Sequence, residues 1–202
     1  MTVSPLVKYP DKQIVLPPTY CGSIYYYAAM AQFGGVKIDT ERRFNKREKD
    51  CHRCTISGPN GLQRLTVPLE KPQEWHSTKL SDVKVSRHGE WWHVHRVAIE
   101  SAYGRTPFFE YYADEIMPAF TGNIELLVDL DAIIDRFCRS ALGITAATDN
   151  SLEIVTNLPA VHDVDYYQIW AARFGFTPGL SALDLIFNMG NEAPLVLREM
   201  IR

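Results

Sequence analysis

Cys51-His52-Arg53-Cys54 places two thiols three residues apart, which is half of a zinc site. A structural zinc needs four ligands, the chain has no second Cys-x-x-Cys, and His76 or the His93/His95 pair would have to complete the set. A thioredoxin-type redox role needs the first thiol at a helix N-terminus, whereas this pair runs into a hairpin strand. The simpler reading is a strand on which Cys51 and Cys54 alternate with His52 and Arg53. The four cysteines, Cys21, Cys51, Cys54 and Cys138, then read as free thiols of a reducing compartment, and no metal is expected. His93-Val94-His95 would present two ligands on one face only in a strand. On a helix the two rings diverge by about 200°, and His95 falls inside the apolar arc of Trp91, Trp92, Ala98, Ile99, Ala102 and Tyr103. A histidine there is either a hydrogen-bonded core residue or a general acid/base.

Between Glu41 and Arg53 the chain is locally basic, with Arg42, Arg43, Lys46, Arg47, Lys49 and Arg53 against Glu41, Glu48 and Asp50. The default for such a run is a solvated face. Beside a hairpin and tyrosines it can also hold phosphate or carboxylate, because the guanidinium fork matches both. Phe108-Phe109-Glu110-Tyr111-Tyr112 sets one carboxylate among aromatic rings, an environment that would raise its pKa or pair it with a basic residue. No Gly-x-Ser-x-Gly elbow, His-Glu-x-x-His helix, glycosidase signature or glycine-rich phosphate loop after a strand is present.

These residues must be positioned by the elements around them. Apolar spacing from Thr19 to Phe33 predicts a first helix, stopped by Gly34-Gly35 and followed by a short strand at Val36–Ile38. The runs on either side of Gly58-Pro59-Asn60-Gly61 predict a β-hairpin turning on Asn-Gly, where both residues tolerate positive φ. A further strand is expected at Val83–Val85, with loop from Pro68 to Leu80. His88, Trp92, His95, Ile99 and Ala102 mark a helix ending near Gly104. Thr106-Pro107 reads as the start of a helix over Phe108–Met117. Ile124–Leu142 reads as a third, and Ser181 with Asp184 as the opening of a helix closed by Gly190. A strand at Glu153–Val155 and a last helix to Ile201 complete the reading, with His162–Phe174 open between helix and loop. Strands early and helices late give an α+β fold, with mixed α/β the alternative: an N-terminal β-hairpin or small sheet and a mainly helical C-terminal half.

At 202 residues, 46% hydrophobic and 22% charged, the chain has the composition of an ordinary globular protein, and one domain over 1–202 is expected. The net charge of −3 argues against bulk capture of nucleic acid or anionic membrane. No segment has the apolar core of a signal peptide or a membrane span, so a cytoplasmic protein is expected.

Taken in order, several blocks resemble the WbqC family of bacterial proteins: the basic run into Arg53-Cys54-x-Ile56, then Gly58-Pro59-Asn60-Gly61 and Leu65-Thr66-Val67-Pro68. Trp91-x-His93-x-His95, Ser101-Ala102-Tyr103, Thr106-Pro107-Phe108-Phe109-Glu110-Tyr111-Tyr112 and Gly175-Phe176-x-Pro178-Gly179-Leu180-Ser181 continue the set. Cys51-His52 stands where Arg-Asn is frequent in the family, and Gly179 where Asn is common. The resemblance implies a place in surface-polysaccharide (O-antigen) synthesis and transfer of an acyl or aminoacyl group, such as glycine, to a sugar. On that reading His95 is the base, Glu110 and Cys54 complete the catalytic group, and Cys54 acts as covalent nucleophile in a variant of the scheme. Arg47, Arg53, Asn60, His93, Tyr103 and Tyr111 bind substrate, Arg53 and its neighbours taking the anionic donor. No cofactor is implied. The partners would be an activated acyl donor and a sugar or sugar-nucleotide acceptor, all meeting where the Arg42–Arg53 and Trp91–Tyr112 segments face each other. The alternatives are a non-enzymatic carbohydrate- or nucleotide-binding module and an assembly protein of the same pathway.

Overall fold

The structure is a computed structural model that describes residues 7–74 and 77–202. His76, a conceivable zinc ligand in the sequence, lies outside the described residues. The chain opens with β1 (Tyr9–Leu16), α1 (Ile24–Met30) and β2 (Phe33–Ile38). β1 and β2 run parallel, joined through α1, and β1 also pairs in parallel with β5 (Glu153–Val155), giving the strand order β2-β1-β5. β1 escapes sequence reading because its first half, Tyr-Pro-Asp-Lys, is polar and exposed, and only Gln13, Ile14 and Leu16 are buried. Gly34 permits the pairing: a Cβ there would sit 2.1 Å from the Pro10 carbonyl oxygen. The first helix is far shorter than its apolar spacing suggests. Pro17-Pro18 and a left-handed Cys21 (φ 46°) delay its start, and Phe33 is already β2.

β3 (Arg53–Gly58) and β4 (Gly61–Thr66) form the expected antiparallel hairpin. Its tip is Pro59-Asn60 closed by the Gly58–Gly61 pair, and the positive φ falls on Gly61 (97°) alone rather than on an Asn-Gly pair. Proline at the first tip position fixes the turn and moves the left-handed residue one place on. Val83–Val85 makes isolated bridges to Leu69 and Leu126 instead of a strand.

The C-terminal half is helical: α2 (Trp91–Tyr103), α3 (Phe109–Ile116), α4 (Leu127–Ala141), the short α5 (Ala171–Phe174), α6 (Ala182–Met189) and α7 (Ala193–Met200). His88 stays outside α2, since Gly89 (φ 74°) and Glu90 (φ 45°) break the helix before Trp91. Thr106 does not cap α3; its hydroxyl donates to the Tyr103 carbonyl. Most of the 162–174 stretch is irregular, and only α5 is helical. Ser181 does cap α6, accepting from the Leu183 N–H. α6 buries every residue from Ala182 to Asn188 and forms the axis of the core, touching α1, α2, α3, α4, α7 and β3. Among the described residues no helix is long and apolar enough to cross a membrane.

Candidate functional site

In parallel sheets, clefts open where strands end and loops begin. The carboxyl end of β1 leads into the loop Pro17–Ser23, and this loop is pinned on several sides. The Tyr20 N–H donates to the Asp50 carbonyl (2.8 Å), the Tyr26 hydroxyl to the Pro17 carbonyl (2.9 Å), and the Ile24 N–H to the Leu180 carbonyl (2.9 Å). The Ala182 N–H returns to Gly22, and the Ser181 N–H reaches Thr55 on β3, so the starts of α1 and α6 and the hairpin are tied together. Three clefts surround the loop, and Thr19 and Tyr26 line all of them.

The first cleft, about 450 Å³, lies between the hairpin and the two helix starts. Arg53 and Thr55 alternate onto one face of β3, and Arg64 sits opposite Thr55 on β4, so the hairpin presents two guanidiniums to the cleft. Lys49 adds a third cation, and Asp50 is the one carboxylate lining it. Among the described residues Lys49, Arg53 and Arg64 have no ion-pair partner, and the buried Nε of Arg53 has no hydrogen-bond partner. Three unneutralised cations around one pocket make an anion site. Cys54 and Cys21 line the same cleft, and burial pushes the Cys21 thiol well up.

The second cleft, about 640 Å³, lies on the opposite side of the Thr19–Tyr26 wall, between the ends of β1 and β2 and α4. Val36, Ile38, Val128 and Ile144 supply apolar walls, and Asp131, Asp135, Arg136 and Arg139 supply charge. Burial raises Asp131 well above the usual carboxylate range, with the neighbouring Asp135 adding to the effect. Burial also raises Asp135, while Arg139, 3.6 Å away, works against it. The third cleft, about 620 Å³, opens between the basic stretch and the 158–161 segment and is rimmed by Arg42, Arg47 and Lys49. Arg42 is already paired with Glu48 at 2.8 Å.

The residues singled out in the sequence do not meet in one pocket. Arg53 and Cys54 share the first cleft and Arg47 rims the third. Asn60 and His93 line a separate 570 Å³ depression between the hairpin tip and the outer face of α2. The two histidines diverge as a helix requires: His93 is exposed and His95 is 4% exposed. His95 lines none of these clefts. Its Nδ1 is 2.7 Å from the Tyr20 hydroxyl, its ring packs against Trp91, and burial lowers its pKa to about 4. It braces Tyr20, a buried residue of the loop that itself lines none of these clefts. Tyr103 is wholly buried, its hydroxyl accepting from the Ser57 N–H at 3.4 Å. Glu110 is exposed on the first turn of α3 rather than enclosed by rings, and Tyr111 is 70% exposed, edge-on to Tyr112. The rings that pack inward from this cluster are those of Phe108, Phe109 and Tyr112. None of these principal clefts is lined by both the Arg42–Arg53 and the Trp91–Tyr112 segments.

All four cysteines are free and buried. Cys51 sits in a 3-10 turn with its thiol toward the Glu48 carbonyl, so it does not alternate along β3. Among the described residues no three of His, Cys, Asp or Glu gather as a metal ion requires. Sequence reading missed Asp131, Asp135, Arg64 and Tyr26. For Asp131 a signal existed: it falls in the buried stripe Leu127, Leu130, Ile134 and Cys138 of α4, a place where a carboxylate has no packing reason to be.

The sequence profile of the WbqC-like protein family matches residues 18–160, which takes in the loop, the hairpin and α4. An uncharacterized protein of Mycobacterium tuberculosis, Rv1507c, is 26% identical over 220 aligned residues, covering 86% of this chain and 91% of that protein. No solved structure matches. By the extent of the profile match, the chain belongs to the WbqC-like protein family.

Proposed function

We propose that this protein is an acyl- or aminoacyl-transferase of surface-polysaccharide synthesis that acts in the cytoplasm and holds its anionic activated donor in the hairpin cleft. The observation that carries this reading is the set of unpaired cations, Lys49, Arg53 and Arg64, beside the buried thiols Cys21 and Cys54. In the transfer, a nucleophilic oxygen or nitrogen of the sugar acceptor bonds to the acyl carbon and gives its proton up to solvent water. The donor's anionic leaving group departs with the bonding pair, and cations fixed around it stabilise the charge that develops. His95 serves by holding Tyr20, and through it the loop, in place.

A second reading, a non-enzymatic binding module for nucleotides or sugars, is favoured by one observation: the imidazole best suited to proton transfer lies outside the clefts. Thermal denaturation with nucleotide-sugars, aminoacyl-adenylate analogues and acyl-CoA tests the shared part of both readings. A true ligand at 100 times its Kd adds about 2.7 kcal/mol, a shift of several degrees. Arg53→Ala should abolish that shift. No shift with any of the three classes, or one that survives both Arg53→Ala and Arg64→Ala, defeats the anion-cleft assignment. Mass analysis of the acceptor after incubation with donor then separates transfer from binding.

A further inference from the structure

The α4 cleft contains groups that the donor site does not use. Asp131 is 1% exposed, lines the cleft, and has no hydrogen-bond partner on either carboxylate oxygen. One turn along, Asp135 has a buried Oδ1 that is also unpartnered, while its Oδ2 lies 3.6 Å from Arg139 Nη1. The Tyr27 hydroxyl lies beside Asp135 and can turn toward it, so the acceptors without a donor in the protein are the two oxygens of Asp131, and folded proteins rarely leave such a group unmet.

The chemistry of that donor can be narrowed. The titratable groups facing Asp131 from the loop, α1, the Cys51 turn, β3 and its own helix are Tyr20, Cys21, Tyr26, Cys51, Cys54 and Asp135, with Tyr27 and Cys138 facing Asp135 as well, and none of these is a cation. Of the two arginines in the cleft, Arg139 is engaged by Asp135, and Arg136 is exposed. Neither arginine neighbours Asp131, which leaves room there for a cation carried by a ligand. A metal ion lacks a third ligating side chain among the described residues. A primary ammonium brings one charge and three N–H donors, enough for both oxygens of Asp131 and one of Asp135. Val36, Ile38, Val128 and Ile144 then provide apolar contact for the carbon chain.

We infer that the α4 cleft binds a small molecule through its primary ammonium group, seated on Asp131 and Asp135 with its carbon chain along the apolar wall. This site is separate from the donor cleft and does not depend on the transferase reading. Burial favours the neutral carboxyl of Asp131, so an arriving ammonium, which favours the carboxylate, drives net release of protons to solvent. No covalent change occurs.

Titration calorimetry with n-propylammonium chloride at pH 7.5, run in two buffers of different ionisation enthalpy, tests this directly. The expected result is one site with net proton release. Propyltrimethylammonium, which has the charge but no N–H, and 1-propanol, which has no charge, should each bind at least roughly tenfold more weakly. Asp131→Asn should weaken n-propylammonium by a similar factor, and Asp135→Asn, which keeps Asp131 in place, should weaken it less. Absence of binding at millimolar ligand overturns the proposal. So does equal binding of the trimethyl analogue, or unchanged affinity in both variants.

Discussion

Asp131 on α4 and Asp184 on α6 are equally hidden, each 1% exposed, yet their surroundings differ. Asp184 Oδ2 accepts from the Tyr166 hydroxyl (2.8 Å) and from Gln168 Nε2 (3.0 Å), and Gln168 goes on to fasten the Thr177 backbone. Burial still raises its pKa, to about 6, but these bonds hold the rise in check. The carboxylate knits the irregular 166–177 segment onto the central helix. Asp131 has no such bonds, only a cleft in front of it. A buried charge kept with partners is a structural element, whereas one kept without them destabilises the fold and is retained for something else. The same contrast separates the two histidine roles: His95 has a partner in Tyr20, and His93 faces solvent.

The largest effect should follow from removing the partnered group. Asp184→Ala strands the Tyr166 hydroxyl and the Gln168 amide, and should lower stability by about 3 kcal/mol in urea denaturation at pH 7. A loss below 1 kcal/mol would show that the network carries little and would dissolve the contrast. His95 comes next, through pH. Unfolded histidine takes a proton below about 6.5, while the folded ring resists until about 4. The stability it contributes is therefore complete above pH 6.5 and is lost as pH falls toward 4. Between pH 7 and pH 5 that loss amounts to about 2 kcal/mol. His95→Gln should flatten the stability profile by that amount. His52, also lowered to about 4, leaves a residual slope of the same sign, and the raised carboxyls of Asp131, Asp135 and Asp184 act in the opposite direction. An unchanged profile in His95→Gln would mean that the imidazole is not held neutral by the core. The smallest effects belong to the exposed residues: Glu110→Gln and Tyr111→Ala should each change stability by less than about 0.5 kcal/mol and leave ligand-induced shifts intact. Loss of those shifts in either variant would return α3 to the site.

Much of the architecture was legible because periodicity reports burial directly. The hairpin, the three long helices and the Ser181 start of α6 all follow from apolar spacing and turn residues. β1 was not legible, since half of it is polar and its pairing with β2 and β5 depends on contacts distant in sequence. The candidate site was legible only in part. Arg53 faces a cleft because strand alternation puts it beside Thr55 on one face of β3, whereas Cys54, on the other face, belongs to the core and only borders that cleft. Glu110, Tyr111, Asn60 and His93 were grouped with them by chemical type, and tertiary packing disperses them. Asp131 carries no motif, and only its place on the buried stripe of α4 marks it out.

The most direct measurement is urea denaturation of Asp131→Asn against the parent protein at pH 8 and at pH 4. A carboxyl whose folded pKa is raised costs stability above that pKa and nothing below its unfolded value of about 3.9. The account predicts that the substitution stabilises the protein by about 1 kcal/mol or more at pH 8, and that the gain shrinks toward zero at pH 4. Equal destabilisation at both pH values would mean that Asp131 is held by hydrogen bonds as Asp184 is through its Oδ2, and would contradict the assignment of the α4 cleft as a working site.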